Sequence, residues 1–255
     1  MTLVICALLL VGALSVYNHA AALAAEPQRV MTNYCAALTH DDYRTAYSLL
    51  SSSAQAQQPE AQYLADAASR DSIEGRITTC SAKPTQELSA LSFLRSPRSL
   101  IFNAQITRKQ AATGQIALTR DAQGWHVAAL SSPLQGIDLG PLATQQALCK
   151  AFSQRAYSEA YALLSTPYQH DQGNAATFAR SFGATLTITA CAANLKTYSV
   201  NSSDQQSTFD VTLTLSFVGA TSGSAPTTFT LPTKWAFVRE ATGWRVDEIK
   251  PLLAQ

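Results

Sequence analysis

The run HDDY at residues 40–43 contains the residue types best suited to acid–base chemistry. A histidine next to carboxylates is a frequent general acid–base pair, because its charge changes near neutral pH. The run also precedes a stretch with helical periodicity, where an aspartate side chain accepts hydrogen bonds from the first backbone N–H groups. Residues 154–157, QRAY, fill the matching place later in the chain and contain neither a histidine nor a carboxylate. We therefore expect a helix cap here rather than a catalytic centre.

Three further titratable residues are candidates for an enzyme site. His126 follows a tryptophan in a predicted strand, but Arg245 takes its place in the matching strand, which predicts a solvent-facing position. His170 lies in a polar loop. Asp210 lies in a strand of otherwise apolar and threonine residues. A buried carboxyl in that setting would have a raised pKa, so Asp210 is the one acid whose burial would favour catalysis, and it is also a candidate pocket residue. None of the three is predicted to be catalytic.

Five aromatic residues are candidates for a ligand pocket. Tyr43 and Tyr47 lie one helical turn apart, as do Tyr157 and Tyr161, and each pair could line a pocket with phenolic hydroxyls. The alternative is that these rings belong to the core and that their hydroxyls bind backbone groups. Trp235 has no counterpart earlier in the chain, which makes it a candidate pocket or interface residue.

The chain contains nearly the same sequence twice. YCAALTHDDYRTAYSLLS at 34–51 aligns with LCKAFSQRAYSEAYALLS at 148–165, and GWHV at 124–127 aligns with GWRV at 243–246. A repeat of this length is a domain rather than a solenoid unit. We therefore predict a tandem duplication, in which Trp125 and Trp244 anchor equivalent last strands.

Both copies are predicted to have helices first and strands afterwards. For the first domain, 26–131, we predict helices at 28–39, from 41 or 42 onward and at 59–69, then strands at 73–80, 100–109, 114–120 and 125–130. For the second domain, 142–255, we predict helices at 142–153, 156–164 and 174–182, then strands at 185–198, 208–218, 227–239 and 244–250. A linker rich in proline and glycine, 132–141, joins them. This order is typical of an α+β fold with the helices on one face of an antiparallel sheet.

The element order, the domain size, the helical xxYxxAYxLLS stretch and the closing GW-x-V strand resemble the nuclear transport factor 2-like superfamily. The resemblance is strongest to its small exported bacterial members. It implies two cone-shaped domains, each with three N-terminal helices packed on a curved antiparallel sheet. It also implies that a cone can hold a ligand or an active site, as in ketosteroid isomerases and dehydratases, or be only a packed core or an assembly surface.

Four of the five cysteines form two equivalent pairs, Cys35 with Cys80 and Cys149 with Cys191. Four cysteines allow three pairings, and the duplication favours the one in which each copy closes its own bridge. The alternative is four buried free thiols. A metal site is disfavoured, because the chain has no CxxC motif and no histidine at ligand spacing from either pair.

The N-terminal segment, 1–25, begins with an apolar run over residues 3–16 and contains the small-x-small sequence Ala22-Leu23-Ala24. These features are typical of a signal peptide cleaved after Ala24, although the usual basic start is missing. The alternative is a helix retained as a membrane anchor over residues 3–25. Either outcome predicts an extracytoplasmic protein, secreted or anchored, in which disulfides are favoured.

The composition argues against several classes of partner. The net charge is +1, and charged residues make up 14% of the chain. Neither half has the basic field that nucleic-acid binding requires, so no nucleic acid is predicted. The motifs of common hydrolases, nucleotide-binding proteins and EF-hands are missing, so neither a cofactor nor a metal is predicted.

The sequence favours a non-enzymatic protein whose two domains bind a small apolar ligand or a protein partner. The first alternative is an isomerase or dehydratase that works in one cone, which would need a buried acid or histidine in a roomy pocket. The second is a structural pseudo-dimer, which would need neither.

Overall fold

A computed structural model describes residues 2–89, 93, 97–183, 186–201, 203, 205–217 and 227–252, and gives the backbone alone for residues 2–20, 182, 183 and 186. The chain divides into two compact units, Met1–Gly136 and Ile137–Gln255. Each unit has helices followed by a four-stranded antiparallel sheet. The predicted α+β class is confirmed.

The first unit begins with four helices: α1 Thr2–Thr39, α2 Tyr43–Ser48, α3 Ser52–Gln57 and α4 Glu60–Glu74. Asp42 caps α2, since its Oδ1 accepts a hydrogen bond of 3.1 Å from the Thr45 N–H, as expected for the HDDY run. Ser51 caps α3, a short helix that adds to the three predicted ones. Within the part of the chain that the structure describes, no helix has the length and apolarity needed to cross a membrane.

The sheet of the first unit has the order β1-β2-β3-β4, with β1 Thr79–Pro84, β2 Ser99–Thr107, β3 Ala111–Asp121 and β4 Gly124–Leu130. Alternate residues of β2 are buried from Leu100 to Ile106 and join one core with the helices. The predicted strand at 73–80 is wrong over residues 73–78. Helix α4 continues through Ile73 and ends at Gly75, whose φ of +83° suits glycine, so the strand begins only at Thr79.

A one-turn helix, α5 Ser132–Gln135, closes the first unit. The second unit has helices α6 Gly140–Ser153, α7 Tyr157–Ala162, α8 Thr166–Gln172 and α9 Ala175–Gly183, followed by strands β5 Leu186–Val200, β6 Gln206–Phe217, β7 Thr227–Glu240 and β8 Gly243–Pro251. The predicted linker therefore contains two helical segments. Its Asp138 is fixed within the second unit, because its carboxylate accepts hydrogen bonds from Gly140 N (2.8 Å) and Trp244 Nε1 (2.9 Å).

The two units repeat the same unusual local contacts. Leu50 forms an isolated parallel bridge with Val127 on the last strand of the first unit, and Leu164 forms the same bridge with Val246 in the second. Trp125 and Trp244 are both buried and hold the same place on β4 and β8. The internal alignment of the sequence therefore corresponds to an internal alignment of the structure.

Both cysteine pairs form disulfide bonds within their own units. Cys35–Cys80 joins α1 to β1 with a Cα–Cα distance of 5.1 Å, and Cys149–Cys191 joins α6 to β5 with a distance of 6.0 Å. Each bridge ties the first helix of a copy to its first strand, as the duplication favoured.

Candidate functional site

The first unit contains a cavity of about 320 Å³ between its helices and its last strand. This volume lies at the lower end of the range of small-molecule sites. Its apolar walls include Leu38, Leu50, Ile77, Ile106, Val127 and Leu130. Its polar lining consists of Tyr34, Tyr43, Tyr63, Arg70, Arg108, Gln57, Gln58 and Gln135. Apolar walls combined with polar groups that can orient a ligand are typical of a ligand site.

Helical spacing brings the lining residues together. Tyr34 and Leu38 are four residues apart on α1, so they share one face of that helix. Tyr63, Ala67 and Arg70 follow at intervals of four and three residues on α4 and likewise share a face.

A buried ion pair closes one side of the cavity. Arg108 Nη1 lies 2.5 Å from Asp71 Oδ1, and the side chains are only 14% and 15% exposed. The same Nη1 donates a hydrogen bond of 2.7 Å to Gly75 O, and Tyr43 Oη donates one of 2.7 Å to Asp71 Oδ2. Glu74 Oε2 lies 3.8 Å from Arg108 Nε. The Arg108 charge is therefore balanced by carboxylates of the protein itself.

The cavity tyrosines are held in the neutral form. Burial raises the pKa of Tyr34 well above its usual value, and the interaction with Tyr63 adds to this rise. Burial also raises the pKa of Tyr63. For Tyr43, burial and the hydrogen bond to Asp71 both raise the pKa. At neutral pH these phenols can donate and accept hydrogen bonds but are poor bases.

Alkaline conditions are expected to destabilise the first unit through these tyrosines. A tyrosine whose pKa is raised in the folded state stabilises that state fully as long as the pH is below the tyrosine pKa of the unfolded chain, about 10. Above that pH the unfolded chain loses the proton while the folded protein keeps it. The free energy of unfolding should then fall by about 1.4 kcal/mol per pH unit for each such tyrosine.

The Tyr34→Phe variant isolates this contribution. Urea unfolding of both proteins is measured from about pH 8 to about pH 11. We expect the free energy of unfolding of the variant to fall less steeply with pH than that of the wild-type protein, and the difference in slope is the contribution of one tyrosine. Lysine titration is common to both proteins and cancels in the comparison. Equal slopes would show that Tyr34 titrates normally.

Arg70 is the cavity cation without an acidic partner. Among the described residues, its Nε is buried and has no hydrogen-bond partner, and none of their carboxylates forms an ion pair with it. Gly136, with a φ of +80°, lies against it: a Cβ there would lie 3.2 Å from Arg70 Cδ and 2.6 Å from Glu74 Oε2. A side chain at Gly136 would therefore be strained and would displace both charged groups.

Of the predicted pocket residues in the first unit, Tyr43 lines the cavity. Tyr47 instead packs its ring against Tyr63 at a centroid distance of 5.4 Å, and its hydroxyl donates a 3.3 Å hydrogen bond to Gln55 O. Tyr47 therefore packs against Tyr63, a residue of the cavity lining, without lining the cavity itself.

The predicted tyrosines of the second unit have packing roles. Tyr157 contacts Phe152 edge-on at 6.5 Å. Tyr161 contacts Phe178 at 5.6 Å, and its hydroxyl donates a hydrogen bond of 2.6 Å to Gly173 O. This is the core alternative considered for these residues.

The other two predicted pocket residues lie elsewhere in the second unit. Trp235 is fully buried and donates from Nε1 to Thr233 Oγ1 at 2.8 Å, so it is a core residue rather than an exposed interface residue. Asp210 is half-buried between the buried residues Phe209 and Val211, so its side chain lies on the opposite face of β6, opposite Lys234 on β7. Asp210 therefore points away from the core.

None of the three histidines whose side chains the structure describes lines the cavity. His40 is exposed, and its Nδ1 lies 2.7 Å from Ala36 O on its own helix. His170 is also exposed, next to Asp171. His126 differs from the solvent-facing prediction: it is only 19% exposed, and its Nε2 lies 3.3 Å from Asp121 Oδ1 at the end of β3. Among the described residues, no three histidine, cysteine or acidic side chains gather as metal ligands.

The sequence does contain a signal for the cavity, in the exchanges between the copies. Leu38 and Ala54 of the first copy align with Phe152 and Tyr168 of the second, at the offset that matches Cys35 to Cys149. The smaller residues leave space in the first unit that larger aromatic rings can occupy in the second.

The second unit uses those rings for packing. Phe152 contacts Phe178 at 6.0 Å, and Phe178 packs on Tyr161 as Tyr63 packs on Tyr47 in the first unit. Burial raises the pKa of Tyr168, whose hydroxyl is hydrogen-bonded to the backbone of Ile249. Ile249 is the counterpart of Leu130, which lines the cavity of the first unit. Tyr168 therefore reaches the place that corresponds to the cavity.

No family model and no curated protein matches the chain. Among solved structures, the intermembrane space region of chloroplast protein ARC6 is 15% identical, with 46% of this chain and 94% of that chain covered and a TM-score of 0.33. A putative calcium/calmodulin-dependent protein kinase type II association domain from Thiobacillus denitrificans is 19% identical, with coverages of 44% and 92% and a TM-score of 0.32. A putative polyketide cyclase from Xanthomonas campestris is 14% identical, with coverages of 44% and 88% and a TM-score of 0.31.

Proposed function

We propose that this is a non-enzymatic binding protein of an extracytoplasmic compartment and that its first unit holds a small, mostly apolar ligand. The observation that carries the proposal is the cavity of about 320 Å³, whose apolar walls surround a few neutral phenols and one unpaired guanidinium N–H. Burial of apolar ligand surface in such a site supplies the affinity, and the polar groups fix the orientation.

The geometry favours binding over proton transfer. The tyrosines at the cavity have raised pKa values and are poor bases. Asp71, the carboxylate nearest to them, already accepts hydrogen bonds from Arg108 and Tyr43. Asp210, the acid on which the enzyme alternative depended, lies on the outer face of its strand. A general base needs a free titratable group within reach of the substrate, and the described lining of the cavity contains no carboxylate and no histidine.

The proposed compartment follows from the disulfides. Two bridges that each join a helix to a strand are favoured in oxidising surroundings and are rare in the cytosol. Export would use the N-terminal segment, either cleaved after Ala24 or kept as an anchor over residues 3–25.

A neutral fluorescent probe tests the ligand site. N-phenylnaphthylamine is expected to bind the full-length wild-type protein at one saturable site, with a rise in fluorescence, because the cavity is apolar and of suitable size. Leu38→Phe and Ala67→Phe should each weaken binding by at least about tenfold, since each places a ring in the cavity. The second copy has phenylalanine at the position of Leu38, so the fold accepts this residue there.

Ala68→Phe is the matched control. Ala68 follows Ala67 on α4 but is exposed, so the same substitution there should leave probe affinity unchanged. Probe bound to the apolar N-terminal segment would not respond to any of these variants. If Leu38→Phe and Ala67→Phe keep the wild-type circular dichroism and melting temperature and also keep wild-type affinity, the proposed site is wrong.

A further inference from the structure

We propose that the ligand of the first unit is a monocarboxylic acid with an apolar body, and that Arg70 binds its carboxylate. This inference rests on the proposed function, because it names the chemical class that the same cavity selects. The inference is based on the cavity, on the guanidinium of Arg70 and on the charged side chains near it.

The two cavity arginines have different surroundings. The Nη1 of Arg108 pairs with Asp71 and donates to Gly75 O, and Glu74 lies near its Nε, so carboxylates of the protein balance its charge. The Nε–H of Arg70 is buried but has no acceptor among the described residues. A buried donor without an acceptor costs free energy, and a ligand that supplies the acceptor recovers this cost.

A carboxylate suits the geometry of this donor. The guanidinium group presents its N–H groups in a planar fork that matches the two oxygens of a carboxylate. The neutral phenol of Tyr63 lies on the same face of α4 as Arg70 and can donate a further hydrogen bond. The apolar remainder of the ligand would face the walls formed by Leu38, Ile77 and Ile106.

The charges around the cavity favour a monoanion over a dianion. Arg70 and Arg108 contribute two positive charges, and Asp71 and Glu74 contribute two negative charges, so the group is neutral without a ligand. A monocarboxylate adds one negative charge next to Arg70, which has no acidic partner among the described residues. A phosphate monoester would add close to two negative charges and would be repelled by the carboxylates of Asp71 and Glu74.

Three probes of one shape separate these possibilities. Naphthoate, naphthamide and naphthyl phosphate are titrated against the full-length protein near neutral pH, by calorimetry or by displacement of N-phenylnaphthylamine. We expect naphthoate to bind at least about tenfold more tightly than naphthamide, because its carboxylate forms a hydrogen bond between charged groups. We also expect naphthoate to bind more tightly than naphthyl phosphate. This comparison uses the wild-type protein and needs no variant.

Variants then assign the effect to Arg70. Arg70→Met should weaken naphthoate by about tenfold or more while changing naphthamide by less than about twofold, and Arg70→Lys should fall between. Arg44→Gln, an exposed arginine outside the cavity, should change neither. The preference for naphthoate is thus expected to disappear only with Arg70.

The outcomes separate this inference from the proposed function. If naphthamide displaces the neutral probe as well as naphthoate does, the cavity binds ligands but the carboxylate assignment is wrong. If naphthyl phosphate binds most tightly, the ligand is a dianion and the assignment is also wrong. If neither the neutral probe nor any of the three compounds binds, the proposed function fails and this inference fails with it.

Discussion

Replacing Cys35 and Cys80 together by serine is expected to lower the free energy of unfolding of the first unit by about 4 kcal/mol. The bridge closes a loop with a sequence separation of 45 residues, and loops of this length confine the unfolded chain strongly. The loss is comparable to the whole stability of many small domains, so the first unit should be largely unfolded at moderate temperature.

Amide hydrogen exchange read by mass spectrometry measures this effect, because peptides report on each unit separately. The reciprocal variant, with Cys149 and Cys191 replaced by serine, is the matched control: its bridge spans 42 residues, so the second unit should lose a similar amount. Each double variant should accelerate exchange mainly in its own unit. Unchanged protection in both would mean that the bridges add nothing to stability.

The fold could be predicted because the sequence patterns that indicate it are local and occur in both copies. Val127 and Val246 end matching sequence motifs, and each pairs with the leucine of the preceding helical motif. The alternation of buried residues along β2 indicates a strand with one covered face. The bridges followed from the same duplication. What this pattern missed was the boundary near Ile73, where a helix with no stop signal before Gly75 continued into a predicted strand.

The site could not be predicted in the same way, because its parts are far apart in the sequence. Arg108 and Asp71 are 37 residues apart, and only the packing of α4 against the end of β2 brings them together. Tyr34 and Tyr63 lie on two separate helices, α1 and α4, and no local sequence pattern joins them. The sequence indicates the cavity through two exchanges between the copies, in which Leu38 and Ala54 of the first copy are replaced by Phe152 and Tyr168 in the second.

Arg108→Met is expected to lower the free energy of unfolding of the first unit by about 3–5 kcal/mol. The substitution keeps the length of the aliphatic stem but leaves the carboxylate of Asp71 buried without its cation. Tyr43 Oη would still donate to Asp71, which would offset part of the cost. Urea unfolding combined with hydrogen exchange would measure the loss and assign it to the first unit.

Arg76→Met provides the comparison that isolates burial. Arg76 also forms a close ion pair, with its Nη1 2.6 Å from Asp41 Oδ2, but its side chain is 76% exposed. An exposed pair of this kind contributes about 0–1 kcal/mol, so this variant should be nearly neutral. Equal losses from the two variants would mean that burial of the Arg108 pair is irrelevant to stability.

The double variant Arg108→Met/Asp71→Asn separates the net stabilisation by the pair from the cost of breaking it. If the single variant is unstable because a charge is left buried, then removing the charge of Asp71 as well should restore much of the loss. The pair would then contribute little net stability, and its main effect would be to occupy Arg108 and leave Arg70 as the free cation of the cavity. Additive losses would contradict this view, because they would show that the two side chains stabilise the unit independently.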